Sequence, residues 1–325
     1  MNITRSRPVC HLIAIAAGAA LVAALAAADV PRIIFRSKSP YNEIIVTEND
    51  RGRRVLLFEM GGDEQSSIDL RQPNALQADY TKAIVAGLAL IEPPRRALMV
   101  GVGGGSVGSY LHRRLPQLDL DCVDIDAEVV SVAQRFFGFI PDARMRVHIA
   151  DGRRFVEQSR DRYDLVILDA YNSDDVPLHL ATAEYLRAVQ QRVAPGGVVI
   201  GNLICEDLNK LYSRMVRTYQ EVFADVYTAR ADNSYNCEVY GFNEKRAIAA
   251  SDLQAQLARL GKAQPWGFDP QPIIVNGWRH ETARAPGVAP LIDAELPVSA
   301  PATAPALVPV SIPAAASRSA QSRAK

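Results

Sequence analysis

Apolar and polar positions alternate with two different rhythms along the chain. From Ile33 to Leu70 the apolar residues come in short β-rich bursts: Ile33-Ile34-Phe35, Ile44-Ile45-Val46 and Val55-Leu56-Leu57-Phe58. Asn49-Asp50-Arg51-Gly52 separates two of them as a turn signal. This pattern predicts a small antiparallel β-domain over residues 32–72. Near Pro73 the period changes. Leu76, Tyr80, Ile84 and Leu88 recur every four residues, which predicts an amphipathic helix. Buried-strand runs then alternate with helical segments. Arg96–Val100, Cys122–Asp126, Val147–Ile149, Tyr163–Asp169 and Val198–Asn202 read as strands. Val107–Leu115, Glu128–Phe137 and Ala183–Val193 read as helices. Two further runs, Val222–Thr228 and Glu238–Phe242, close the series. Strands alternating with helices of this length imply an α/β fold with a doubly wound, mostly parallel sheet over residues 73–285.

Both ends differ from this middle. Arg5 and Arg7 precede an alanine-rich, uncharged run from Leu12 to Ala28. Residues 1–28 therefore read as a signal-like or membrane-anchor segment, short of the roughly 20 apolar residues of a stable span. A signal implies a periplasmic or exported protein, and an anchor a membrane-bound one. Residues 286–325 hold alanine, proline and serine without period and no aromatic residue, and read as a disordered tail.

Charge and composition narrow the function. The 36 basic and 36 acidic side chains cancel, which argues against a nucleic-acid binder working by phosphate neutralisation. The four cysteines are scattered, with no CxxC pair, and the five histidines form no HExxH motif, so no metal is expected. Cys122 and Cys205 read as small apolar fillers, and His148 as a satisfied core histidine.

In an open α/β sheet, ligands bind beyond the carboxyl ends of the strands. Those ends carry Gly101, Gly103, Gly104 and Gly105, then Asp124, Asp151-Gly152 and Asp169. The glycines let backbone approach a ligand and present amides at a helix start. Asp124 follows Gly101 at the spacing of an acid that binds ribose hydroxyls. Asp151 is placed to accept from an adenine amino group. The set fits an adenosine ligand without a pyrophosphate. NAD is the close rival, and the bland alternative is that these acids only cap helices.

These residues resemble the spermidine synthase (polyamine aminopropyltransferase) family from about Arg36 to Phe242. Ser39-Pro40-Tyr41-Asn42-Glu43-Ile44-Ile45-Val46 is similar to the family's N-terminal strand, and Asp124-Ile125-Asp126 to its ribose motif. Asp151-Gly152 is similar to its adenine motif, and Tyr163–Asp169 to the strand that ends in the catalytic aspartate. The resemblance implies a Rossmann-like domain of the class I S-adenosylmethionine-dependent methyltransferase type. It implies Asp169, Tyr80 and Tyr235 as catalytic residues, with Asn42 and Gln65 joining the donor site. Tyr171, Asn172, Asp174, Asp175 and Asn202 would line the acceptor site. It also implies decarboxylated S-adenosylmethionine as donor, a small-molecule amine as acceptor, a homodimer and a cytoplasmic setting.

The departures are specific. Gly104 stands where the family has the aspartate that reads the donor's free amine. Asn172 stands where it has a second acceptor acid, and Asn202 replaces a glutamine. Losing a carboxylate that pairs a desolvated ammonium is costly. Ordinary S-adenosylmethionine carries its own carboxylate, and a glycine at 104 removes repulsion against it. Methyl transfer on the same fold, and a non-catalytic nucleoside-binding protein, therefore stand beside aminopropyl transfer.

Overall fold

The computed structural model describes residues 30–296 except 173–175, 232–233, 264 and 275–276, together with residues 308 and 309. Its first sheet takes four strands in chain order, β1 (Arg32–Lys38), β2 (Glu43–Glu48), β3 (Arg53–Leu57) and β4 (Glu64–Asp69), all antiparallel. The β2–β3 turn forms at the expected place. Gly52 takes φ 77°, and the Asn49 side chain accepts the amides of Arg51 and Arg53 at 3.2 and 2.8 Å. Strand β4 has Ile68 as its single large apolar residue, so the hydrophobic pattern does not announce it. Ile44, Val46, Leu56, Phe58 and Ile68 pack together with Val129, Val132 and Phe137, which fastens this sheet to the larger domain.

Helix α1 (Asp79–Ala86) continues into a 3-10 turn over Gly87–Leu90, within the stretch that the four-residue period predicts. The second sheet contains β5 (Arg96–Val100), β6 (Asp119–Asp124), β7 (Met145–Ile149), β8 (Tyr163–Leu168), β9 (Val193–Ile204), β10 (Asp225–Arg230) and β11 (Asn236–Phe242). Two-residue edges, β12 (Arg279–His280) and β13 (Val308–Pro309), complete the order β12-β10-β11-β9-β8-β5-β6-β7-β13. Pairings among β5 to β9 are parallel, and β11 enters antiparallel between β9 and β10. The chain moves from β5 outward to β7, then crosses back to β8. The β5–β8 boundary is thus the switch point at which such sheets place ligands. Helices α2 (Ser106–Arg114), α3 (Ala127–Phe136), α4 (Gly152–Gln158), α5 (Ala183–Arg192) and α6 (Tyr212–Val222) cover the sheet. The expected α/β fold with its N-terminal β-domain is the one observed.

Two expectations change. Pro286–Leu296 belongs to the ordered body rather than to a tail. Leu291 is buried among residues of α5 and α6, its carbonyl accepts the Ala183 amide at 2.8 Å, and its amide donates to Thr218 Oγ1 at 2.9 Å. Arg153 pairs with Asp293 at 2.6 Å. Composition averaged over forty residues hides one well-placed leucine and one acid. Cys205 is not a lone filler: it forms a disulfide with Cys237, with Cα atoms 5.2 Å apart, joining the end of β9 to β11. Cys122 is the buried free thiol expected. Residues 1–28 lie outside the described residues, among which no helix is long and apolar enough to cross a membrane. His148 is satisfied, with Nε2 2.9 Å from Asp121 Oδ1.

Candidate active site

The glycine loop fills the switch point. Gly101 has φ 95°, and a Cβ there would run into the backbone carbonyl of Asp169. The Asp169 amide donates to the Val100 carbonyl at 2.8 Å, so this loop and the end of β8 are in direct backbone contact. Gly105, at φ 74°, is the N-cap of α2 and has no side chain to occupy the helix's first amides. Around Gly103 the nearest group to an added Cβ is the Gln65 carbonyl at 3.9 Å, which leaves room for a ligand. Gly104 is crowded. An added Cβ would overlap the Ser66 hydroxyl and lie 2.8 Å from Ser66 Cβ, so β4 excludes a side chain at this position.

The two acids expected at the donor, Asp124 and Asp151, stand at or just after the ends of consecutive strands, β6 and β7, and sit in unlike settings. Asp124 accepts the amides of Val102 at 2.8 Å and Asp126 at 2.9 Å. Burial pushes it up to about 6, against the pull of those amides. It caps no helix. Asp126 does, accepting the Glu128 amide at 3.0 Å, and it also takes Ser39 Oγ at 2.5 Å and Asn42 Nδ2 at 3.4 Å. Asn42 thus reaches the donor edge through Asp126. Asp151 caps α4 through the Arg154 amide at 2.9 Å, and His179 Nε2 lies 2.9 Å from its other oxygen. Burial alone would raise Asp151, but His179 and the helix amides hold it below the usual carboxylate range. The capping alternative therefore holds for Asp151 and Asp126 and fails for Asp124. Gly152 is forced by packing, since a Cβ there would strike Val100.

A polar row crosses β8, β9 and β11. Asn202 Nδ2 donates to Asp169 Oδ1 at 2.8 Å, and Asn236 Nδ2 donates to Asn202 Oδ1 at 2.9 Å. Asp169 keeps some surface toward the cleft but lies deep in the protein mass. Desolvation pushes it up to about 7, and the Asn202 bond opposes that only in part. Tyr80 lies on α1 with its hydroxyl 3.4 Å from the Gln65 carbonyl. Burial and the nearby Asp169, Glu64 and Glu238 carboxylates drive its hydroxyl well above the phenol range. Tyr171 donates its hydroxyl to the Asn202 carbonyl at 2.9 Å.

Some expected members are not gathered here. Tyr235 is 66% exposed, so its side chain stands in solvent rather than against buried Asp169. Asn172 is exposed, and Asp174 and Asp175 lie outside the described residues. The residue that sequence reading missed is Glu238. It is completely buried, and neither carboxylate oxygen has a hydrogen-bond partner among the described residues. A lone glutamate inside the apolar run Cys237–Phe242 was the available signal. No group of three or more metal-ligating side chains occurs among the described residues.

Comparison with known proteins points the same way. A model of the spermine/spermidine synthase domain matches residues 78–232. The polyamine aminopropyltransferase of Vibrio vulnificus (strain CMCP6) is 33% identical over 200 residues, covering 60% of this chain and 66% of that protein. The eEF1A lysine and N-terminal methyltransferase of Bos taurus is 34% identical over 179 residues, covering 50% of this chain and 26% of that protein. The crystal structure of human methyltransferase-like protein 13 in complex with SAH superposes with a TM-score of 0.52 at 29% identity. That match covers 57% of this chain and 92% of the human one. The chain thus spans just under two thirds of the aminopropyltransferase and about a quarter of the methyltransferase.

Proposed function

Because the chain belongs to the spermidine synthase-like family, whose relatives here are all transferases, we propose that it alkylates a primary amine from a sulfonium adenosine donor, with Asp169 taking the amine's proton. The observation that carries this reading is Asp169 itself. It is a carboxyl raised to about 7, held by Asn202 and in backbone contact with the glycine loop. A general base works best with a pKa near the working pH.

The donor supplies an electrophilic carbon beside a positive sulfur. The chain's part is to position and desolvate. Asp124, with no helix to cap, takes the ribose hydroxyls, and Asp151, fixed by His179, takes the adenine amino group. Open space at Gly103 and the uncapped amides after Gly105 receive the rest of the donor. On the other side, Asp169 orients the neutral amine for in-line attack. The nitrogen–carbon bond forms as the carbon–sulfur bond breaks, the electron pair returns to sulfur, and the proton passes from nitrogen to Asp169. Tyr80 supports the near-attack pose.

Aminopropyl transfer to a small amine is the first form of this reading, since Asp169, Tyr80 and the donor acids match that family residue by residue. Methyl transfer is the second. One observation favours it: Ser66 packs on Gly104 and leaves no place for the carboxylate that would read a donor amine. Calorimetry of the full chain with S-adenosylmethionine and with its decarboxylated form separates the two. Tighter binding of the decarboxylated donor supports aminopropyl transfer, tighter binding of the ordinary donor supports methyl transfer, and heat from neither removes both. Asp169→Asn is expected to keep donor binding and lose turnover.

A further inference from the structure

Glu238 is an ionisable side chain placed where the fold gives it nothing to do. It sits on β11 directly opposite Asn202 of β9, and Asn202 in turn bonds Asp169 at the end of β8. Residues opposite each other in a sheet share a face, as do residues two apart on one strand. Asn236, Glu238 and Tyr240 therefore face the side of the sheet that α1 covers, where the Tyr240 hydroxyl donates to the Ala83 carbonyl. Glu238 is 0% exposed, and both of its oxygens lack a hydrogen-bond partner among the described residues. A buried carboxylate without partners costs several kcal/mol in general and is rarely kept without a use.

We infer that Glu238 is the second anionic anchor of the acceptor pocket, binding the non-reacting ammonium of a small diamine whose other nitrogen attacks from Asp169. The inference rests on the amine-transfer reading above. Three features support it. The strands that carry Asp169 and Glu238 are separated by one strand, so their backbones lie about 9–10 Å apart, and side chains converging from them suit a short diamine. The position where the family has a second acceptor acid holds exposed Asn172, and Glu238 returns that charge from a different strand. Asn202 and Asn236 lie along the same face and can follow the ligand's chain with their remaining polar atoms. The ionisable groups close enough to act on Glu238 are Asp169 and Tyr80, with Tyr240 on its own strand, and all of these are neutral or acidic. Burial and the nearby Asp169 carboxylate raise Glu238 well above the carboxylate range, so the free site is primed to exchange a proton for a cation.

The test compares 1,4-diaminobutane with butylamine, by calorimetry and by turnover, on the full chain and on Glu238→Gln. A charge-assisted hydrogen bond gained in a buried site corresponds to a preference for the diamine of about 10- to 100-fold. Glu238→Gln should lose that preference through KM while kcat for butylamine stays put. Diamine binding should also release one more proton in the wild type than in the variant, seen as a difference in buffer-dependent heat. Thermal melting of Glu238→Gln no lower than that of wild type confirms that the variant is folded. An unchanged diamine preference in the variant overturns the inference. So does a wild type that transfers to butylamine, or to a lysine-containing peptide, without preferring the diamine, and that result leaves the amine-transfer reading standing. A wild type that alkylates no amine overturns both.

Discussion

Replacing Asp169 with asparagine should make the unliganded protein more stable as it becomes inactive, and the gain should depend on pH. Asparagine keeps an Oδ1 that accepts from Asn202 Nδ2, so the 2.8 Å bond survives and only the charge is removed. In the folded chain Asp169 titrates at about 7, above its ordinary value of 3.8. A raised carboxyl contributes its stability fully below the unfolded pKa and loses it as pH rises through the folded one. The separation corresponds to about 4 kcal/mol, an upper bound because Asp169 keeps some contact with cleft water. Roughly 2–3 kcal/mol of it falls between pH 5 and pH 8. Urea unfolding of both proteins across that range measures it. The stability of Asp169→Asn relative to wild type should climb steadily with pH and level off above neutrality. Glu238 tilts both curves, so their difference reports Asp169 together with the repulsion it exerts on Glu238. Parallel curves would show that Asp169 is not desolvated, and the case for it as a base tuned to neutral pH would fall with that result.

The catalytic corollary is a pH–rate profile for the donor-bound enzyme. With a saturating donor, kcat/KM should rise through about pH 7 as Asp169 ionises; a profile flat from pH 5 to pH 9 would contradict it. Gly104→Asp should not restore a donor-amine reader, because Ser66 occupies the space. A loss of about 1–3 kcal/mol from overpacking is expected, partly recovered by adding Ser66→Gly, with urea midpoints as the readout. Leu291→Ala should cost about 2–3 kcal/mol, since Leu291 is a buried side chain between α5 and α6; an unchanged urea midpoint would mean the docked segment carries no stability.

What the sequence disclosed follows from how locally each feature is encoded. The strands of the parallel sheet are apolar runs, and the glycine loop and the acids sit immediately after them, so Gly101, Asp124, Asp151 and Asp169 could be placed from order alone. Strand β4 could not, because Glu64-Gln65-Ser66-Ser67 has no apolar alternation and becomes a strand only by pairing with β3. Glu238 reaches the site through the antiparallel entry of β11 beside β9, a pairing that apolar pattern does not specify. The same pairing brings Cys237 to Cys205 across 32 residues. The bond from His179 to Asp151 likewise joins two residues 28 apart, and no local pattern announces it. The resemblance implies Tyr235 as a catalytic residue, yet its side chain is exposed.

The contact between Gly101 and the backbone of Asp169 bears on how this enzyme can change over generations. Any side chain at position 101 presses on the Asp169 carbonyl, so a substitution in the loop proposed to hold the donor is felt at once by the proposed base. Effects at the two positions should not sum, and a change harmful alone at one could become neutral after a change at the other. Evolutionary routes to a new donor therefore pass through few intermediate sequences that still work. The polar row is no freer, because Asn236, Asn202 and Asp169 share one chain of hydrogen bonds, so a change at either asparagine is also felt at Asp169.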